Sequence, residues 1–554
     1  MTHPIHFHAA RWLFLSLLCL IAGGLNSVPA ADAPAPSAAE IRLRTYLTAE
    51  PTAPEYVFTG SAFPAIRLNL DSAVKEQLGA YSLKTTFYNR DAQVVTAPEK
   101  PGPYAVLVEI KPANGRSTYR TLTLFRLEKA LPLTELVNLE SLPRIAECAG
   151  LNAESVKNQG TLIVNAAKNH TFEGVAKNRT FARLLAGLAL SPASHEVRKN
   201  TDALAMERQW WTTIRRQAFH LDQQFTKHLD RPQTIPGLKA PQVHAGTLAE
   251  AGMQDDTSSK IDAALQAWSS DTDEAFAVCV VRHGVIVHHQ AYGMRAGQPM
   301  TLTTKSWMAS VTKSMSATLM MMMVDQGLLG LDDRIDQFIP ALNGIEVAQP
   351  LTIRHLYTHT NGLDKWPGWN DERADVEFLL ADAYPFIQVG KYWGYNGLGY
   401  TLGGKVMENV TGEAVPALYI KYLLGPLGCV NTDVVGTHAD AMSVPLDMAK
   451  FGQMLLNQGS YGDLQFLRPE TFQKMLPQKL TITLGPDATK SFGIGLDGQA
   501  DSKKFGHGAA SAATFSVDAN DDLVVIMTRN KIGKNYDKYN GQFWKAIQDG
   551  IIRK

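Results

Sequence analysis

Ser310 and Lys313, three residues apart in Ala309-Ser310-Val311-Thr312-Lys313, stand just before an apolar run from Met315 to Val324. A run of that length without strand punctuation predicts a buried helix with Ser310 in its first turn. Residues i and i+3 project from one face of a helix, so the two side chains would be neighbours. A hydroxyl is a poor nucleophile until a base takes its proton, and a lysine desolvated at a buried helix start can be that base. The helix N-terminus also favours the negative charge that develops there. His355 and His359 have the i, i+4 spacing that can hold zinc on a helix. Leu356 follows His355 where a metalloprotease has Glu, so no metal site is assigned. Four consecutive methionines, Met320 to Met323, point to all sides of a helix and read as adaptable core packing.

The elements that must position these groups follow from the pattern around them. Phe276 to Val281 and Val285 to His289 predict a hairpin around His283-Gly284, and Ala513 to Val517 and Leu523 to Thr528 predict two further strands. A closing helix is expected over Tyr539 to Ile552. Antiparallel strands at both ends with helical patterns between predict one α/β domain over residues 250–554, its two ends sharing a sheet. Upstream, residues 40–128 alternate with period two, as in Ile41, Leu43 and Leu47 or Val106, Val108 and Ile110, with a turn signal at Asn114-Gly115. They predict a small antiparallel, Ig-like all-β sandwich, serving either as a ligand or glycan platform or as a passive spacer. Residues 129–245 predict a mainly helical connecting segment: Leu204, Trp211, Ile214, Ala218, Leu221, Phe225 and Leu229 share one helical face. Within it the pair Trp210-Trp211 is read as core rather than as a sugar platform. Pro232, Pro236 and Pro241 mark a linker, and Asn169 and Asn178 begin Asn-x-Thr sequons.

Length and charge narrow the function classes. The 554 residues suffice for two to four folded units, at roughly 100–200 residues each. Equal numbers of basic and acidic side chains, 53 of each, give no single-signed field to attract nucleic acid or an acidic membrane. A small molecule or peptide is the expected partner. Arg11, the apolar run Trp12 to Ala22 and the small residues before Ala30 read as a signal peptide over residues 1–30, cleaved near Ala30. An exported protein, periplasmic or secreted, is expected, and no later apolar segment reaches the ~20 residues a transmembrane helix needs. The four cysteines, Cys19, Cys148, Cys279 and Cys429, are too widely spaced to outline a disulfide framework or a thiolate metal site. No cofactor is implied.

Ordered blocks across residues 300–530 carry a resemblance. Besides Ser310-Val311-Thr312-Lys313 they include Gly327-Leu328-Leu329-Gly330-Leu331-Asp332-Asp333, Leu351 to Gly362, Gly399-Tyr400-Thr401-Leu402-Gly403-Gly404, Asp447 to Gly452, and Phe505-Gly506-His507-Gly508. The region resembles the serine β-lactamase and penicillin-binding-protein-like family, especially its class C β-lactamase and esterase branch. That implies a β-lactamase/transpeptidase-like fold, an antiparallel sheet with helices, for about residues 250–554. The family's Tyr-x-Asn motif reads Tyr395-Asn396-Gly397 here, so Tyr395 matches the proton-relaying tyrosine while glycine stands in place of the asparagine. Asn396, one residue early, is carried as a substrate-binding candidate whose side chain would have to be redirected. The family's third motif is matched by His507-Gly508-Ala509 on an edge strand. The resemblance implies that His507 binds a substrate carboxylate or supports the tyrosine, and that the amides of Ser310 and Ala510 form the oxyanion hole. Trp366 and Trp369 fall where relatives overhang the cleft, for acyl-group contact or loop packing.

Two functional readings follow. In the first, a secreted serine hydrolase forms an acyl-enzyme on Ser310, with Lys313 and Tyr395 moving protons, on ester, D-amino-acid peptide or β-lactam substrates; loss of the motif asparagine favours esters or peptides over efficient β-lactam turnover. In the second, the domain has degenerated and binds peptide or glycan ligands without turnover, as Gly397 and Ala509 would suggest.

Overall fold

The computed structural model describes residues 48–51, 57–59, 66–69, 79–98, 102–113, 119–128 and 201–553, apart from 344, 346, 365–376, 378–379, 381–383 and 385–386. The expected signal peptide, the Ile41 to Leu47 run, the Asn114-Gly115 turn, both sequons, Cys19, Cys148, Trp366 and Trp369 lie outside the described residues. The chain divides into two compact units. One comprises residues 1–218 with 341–347 and 373–386, and the other residues 219–340, 348–372 and 387–554.

In the first unit the period-two segments form strands: β1 (Thr48–Pro51), β2 (Val57–Thr59), β3 (Ile66–Asn69), β4 (Tyr81–Tyr88), β5 (Val94–Val95), β6 (Gly102–Pro112) and β7 (Tyr119–Glu128). Five of them make one sheet in the order β2-β7-β6-β4-β5, and β1 pairs with β3. The expectation of an antiparallel layer needs one correction, since β2 runs parallel to β7. Parallel pairing requires a long connection, which period alone does not encode. Helix α1 (Thr201–Ala218) follows, with Trp211 and Ile214 buried and the Trp210 indole donating to the Asn89 carbonyl at 3.0 Å. This is a packing role, as the reading of the tryptophan pair expected. The single helical face through Leu229 is also corrected. The chain leaves the helix at Ala218, His220 adopts a left-handed conformation at φ 54°, and only the short α2 (Leu221–Gln224) follows. Leu221 and Leu229 are still buried, so the apolar spacing reported burial without helical continuity.

The second unit begins at Phe219, upstream of the boundary read from the sequence. Its first helix, α3 (Thr257–Ser270), leads into β8 (Phe276–Arg282) and β9 (Val285–Tyr292). A 3-10 turn at Ala309–Val311 opens α4 (Thr312–Asp325), followed by α5 (Ile353–Tyr357), α6 (Leu398–Thr411) and α7 (Pro445–Leu456). The unit closes with β10 (Lys504–His507), β11 (Thr514–Asp518), β12 (Leu523–Thr528) and α8 (Tyr536–Gly550). These strands form one antiparallel sheet, ordered β9-β8-β12-β11-β10, so the two ends of the unit share a sheet as expected.

Both faces of that sheet are covered, which explains why β8 and β12 read as unbroken apolar runs rather than alternating ones. On one face Ile261, Leu265 and Trp268 of α3 and Phe543 and Ile547 of α8 bury Val278, Val280 and Val525. On the other face Phe451 of α7 stacks on Phe515, 5.4 Å between ring centres, and Gly452 leaves room for Val524. Helix α4 is buried on all sides from Thr312 to Met323, the four methionines included. Ser310 thus sits at the mouth of a helix that has nowhere to move. Cys279 and Cys429 are buried free thiols. Among the described residues no helix is long and apolar enough to cross a membrane.

Candidate active site

Four segments meet around the start of α4. The turn before it is strained: Ala309, fully buried, has φ 46°, a region an L-residue enters at a cost of about 1–2 kcal/mol. Ser310 is half-buried, whereas Lys313 is 2% exposed. Lys313 Nζ lies 3.4 Å from Ser310 Oγ and donates to the main-chain oxygen of His438 at 2.9 Å. The i, i+3 spacing therefore does bring serine and lysine together, one end of the lysine being anchored by a carbonyl from a distant loop.

Tyr395 comes from the segment before α6 and is 39% exposed, with its ring centre 4.8 Å from Lys313 Nζ. Tyr400, one turn into α6, has its ring 5.4 Å from the same nitrogen. Its hydroxyl is committed to the Tyr357 carbonyl at 2.9 Å, and burial raises its pKa well above the ordinary value. Of the two, Tyr395 is the tyrosine whose ring is open to solvent.

Asn396 takes a structural part. Its Nδ2 donates to Asn361 Oδ1 at 3.0 Å and to the Gly394 carbonyl at 2.8 Å, while its Oδ1 accepts the Gly399 amide at 3.0 Å. With both amide hydrogens donated inside the protein, it caps the first turn of α6. The side chain is thus directed into the fold, away from the position expected of a substrate-binding group.

Gly397 has an ordinary helical φ of −87°, so backbone strain is not the reason for glycine. A Cβ there would lie 2.6 Å from Cδ2 and 3.1 Å from Nε2 of His438. The space through which the motif asparagine would extend is filled by an imidazole.

His507 ends β10, the edge strand, and Gly508, Ala509 and Ala510 lie beyond the strand in a turn closed by the Ala512 amide donating to the Ala509 carbonyl at 2.8 Å. The strand is thus shorter than the His507-Gly508-Ala509 motif. His507 Nδ1 donates to the Gly508 carbonyl at 2.6 Å, leaving Nε2 as the bare acceptor. Burial pushes its pKa down to about 3. A neutral ring that offers a lone pair is poorly suited to a substrate carboxylate. Its ring centre is 6.1 Å from that of Tyr395.

His359 was weighed in the sequence only as half of a zinc pair. The structure separates the two histidines: α5 ends at Tyr357, and His359 turns away at φ 59°. His355 Nδ1 instead takes part in a capping box with Thr352. Among the described residues no cluster of potential metal ligands is found. His359 is fully buried and tilts against Tyr395 at 4.3 Å between ring centres, its Nδ1 accepting the Asn396 amide at 3.2 Å. Desolvation holds its pKa well below the ordinary value. Tyr395 is consequently flanked by two neutral imidazoles. No sequence spacing signals this placement of His359, and none signals His438.

Residues 273–544 match the family model described as Beta-lactamase, and this part of the chain belongs to that family. It forms a β-lactamase/transpeptidase-like α/β domain of the serine hydrolase superfamily. The chain is 28% identical to Esterase EstB of Burkholderia gladioli over 45% of its own length and 71% of that protein's. It is 25% identical to Penicillin-binding protein 4* of Bacillus subtilis, over 28% of this chain and 37% of that one. A solved penicillin-binding protein homologue from Caulobacter crescentus superposes with a TM-score of 0.45 at 16% identity, over 54% of this chain and 98% of that chain.

Proposed function

We propose that the chain is an exported hydrolase that forms an acyl-enzyme on Ser310, with esters or D-amino-acid peptides preferred over β-lactams. The observation that carries the reading is Lys313 Nζ, anchored on the His438 carbonyl, 3.4 Å from Ser310 Oγ and beneath the ring of Tyr395. In the acylation step Lys313, as the free amine, takes the Ser310 proton while Oγ bonds to the substrate carbonyl carbon. The carbon–oxygen or carbon–nitrogen bond of the leaving group then breaks, and Tyr395 delivers a proton to the departing atom. Deacylation reverses the roles: water gives its proton to the tyrosine and lysine pair, attacks the ester carbon, and Ser310 Oγ recovers its hydrogen. A distance of 3.4 Å without substrate is compatible with closure to hydrogen-bond range in the complex. The amides of Ser310 and Ala510 are the proposed oxyanion donors, each worth about 3–4 kcal/mol in such sites. Gly397 and the inward commitment of Asn396 leave the motif without its amide-recognising side chain, which supports the preference for esters over β-lactams. The EstB relative is an esterase by name, in line with this order.

The test is labelling with a fluorophosphonate probe and turnover of p-nitrophenyl esters, with Ser310→Ala as control. Labelling and turnover that vanish in the variant are expected. Neither signal above the variant would leave binding without turnover as the function. Intact mass after exposure to penicillin then tests β-lactam acylation.

A further inference from the structure

We propose that His438 is a positioning residue for Lys313, its ring standing in the space that a side chain at position 397 would occupy. The inference rests on the reading of Ser310 and Lys313 as the acylating pair, and deepens it. A neutral lysine amine has two hydrogens and one lone pair. Donating one hydrogen to a fixed carbonyl restricts where the lone pair points, and here that carbonyl is the main-chain oxygen of His438. What fixes the carbonyl is therefore part of what aims the base at Ser310.

Two sets of contacts do so. Along the backbone, the loop holding His438 is stapled to the nucleophile turn. The Ala441 amide donates to Thr312 Oγ1 at 3.0 Å, the Met308 amide donates to the Ala441 carbonyl at 2.8 Å, and the Trp307 indole donates to the Ala439 carbonyl. Through the side chain, the His438 ring is wedged against the start of α6. It is 7% exposed, its Nδ1 lies 3.4 Å from Thr401 Oγ1, and its Cδ2 lies where position 397 has no Cβ. Gly397 and His438 are thus a matched pair. Any side chain at 397 needs the histidine ring to shift, and loss of the histidine opens a gap that a side chain at 397 could fill.

The pair can be tested as a cycle of His438→Ala, Gly397→Asn and the double variant, read by p-nitrophenyl ester turnover and thermal melting. His438→Ala should lower kcat about 10- to 100-fold with KM within about threefold, because the lysine is misaimed while the substrate surface is untouched. Gly397→Asn alone should lower both kcat and the melting temperature, since the asparagine meets the ring. The double variant should recover kcat to within about threefold of the parent and melt above Gly397→Asn, an interaction that independent sites do not show. A merely structural histidine would change melting without this rescue of kcat. The proposal is overturned if His438→Ala keeps kcat within about twofold, or if the double variant is as slow as the product of the two single effects. A parent protein that neither labels nor turns over would overturn the acyl-enzyme reading as well, whereas an active parent with additive variants overturns the positioning role alone.

Discussion

His288 offers a measure of how the C-terminal unit responds to acid. It lies on β9, 3% exposed, where a register irregularity between Ile286 and His288 turns both Val287 and His288 inward. The Tyr292 hydroxyl gives its one proton to Asp262 at 2.7 Å, so it accepts from His288 Nε2 at 2.7 Å, and Nδ1 is left to accept from Ser258 at 3.1 Å. The neutral ring is fully satisfied. A second proton would place a cation in a site where burial already holds the pKa near 4, against an ordinary 6.5, with His289 adding to the cost and Asp262 offsetting part of it. Between those two values the unfolded chain binds a proton that the folded chain refuses, so stability falls as pH drops from 6.5 toward 4. At about pH 4.5 the loss from this residue is about 2–3 kcal/mol, a large share of the 5–15 kcal/mol typical of a folded domain. Urea unfolding at about pH 7.5 and about pH 4.5 should show the parent losing about 2–3 kcal/mol more than His288→Gln, which cannot titrate. Equal losses in the two proteins would refute the reasoning, whatever the variant's stability at neutral pH. His355, near 4, and His507, near 3, act with the same sign, so the unit as a whole should be acid-labile.

Other perturbations report on the site and its supports. Tyr395→Phe should cut ester turnover about 10²- to 10⁴-fold while fluorophosphonate labelling is slowed less, because the probe carries a better leaving group; equal turnover would remove the tyrosine from the proton path. Asn396→Ala should lower stability by about 1–2 kcal/mol in thermal or urea unfolding without altering the choice among ester substrates, since its amide caps α6; a changed substrate preference would restore the substrate-binding role. Gly506→Ala places a methyl against the Phe515 carbonyl across β10 and β11, and a loss of about 1–3 kcal/mol in unfolding free energy is expected. Melting unchanged by that substitution would show that the edge strand can shift to accommodate it.

The parts of the site that were legible in the sequence are local in the chain. Ser310 and Lys313 are set together by one helical turn, and the strands of the shared sheet show as apolar runs because both their faces are covered. Tyr395 became visible through a resemblance of motifs, and the structure brings its ring to the lysine. Less legible were points where local pattern and tertiary packing disagree. The helical face continued to Leu229 in the sequence, yet the helix stops at Ala218, and Leu221 and Leu229 are buried from the short α2 and the loop after it. His355 and His359 have metal-ligand spacing, but a left-handed residue after α5 sends them to different tasks.

The sequence by itself determined that Ser310 and Lys313 are neighbours and that the C-terminal domain is of α/β class, because each is encoded by periodicity or by spacing within a few residues. Tertiary structure alone decided what surrounds them. The carbonyl that holds Lys313 arrives from 125 residues away, the ring of His438 occupies the room that Gly397 leaves, and His359 and His507 are kept neutral by burial. Those outcomes depend on which segments the closed sheet and the buried helix α4 bring together, and on the water excluded when they meet. No spacing along the chain records either.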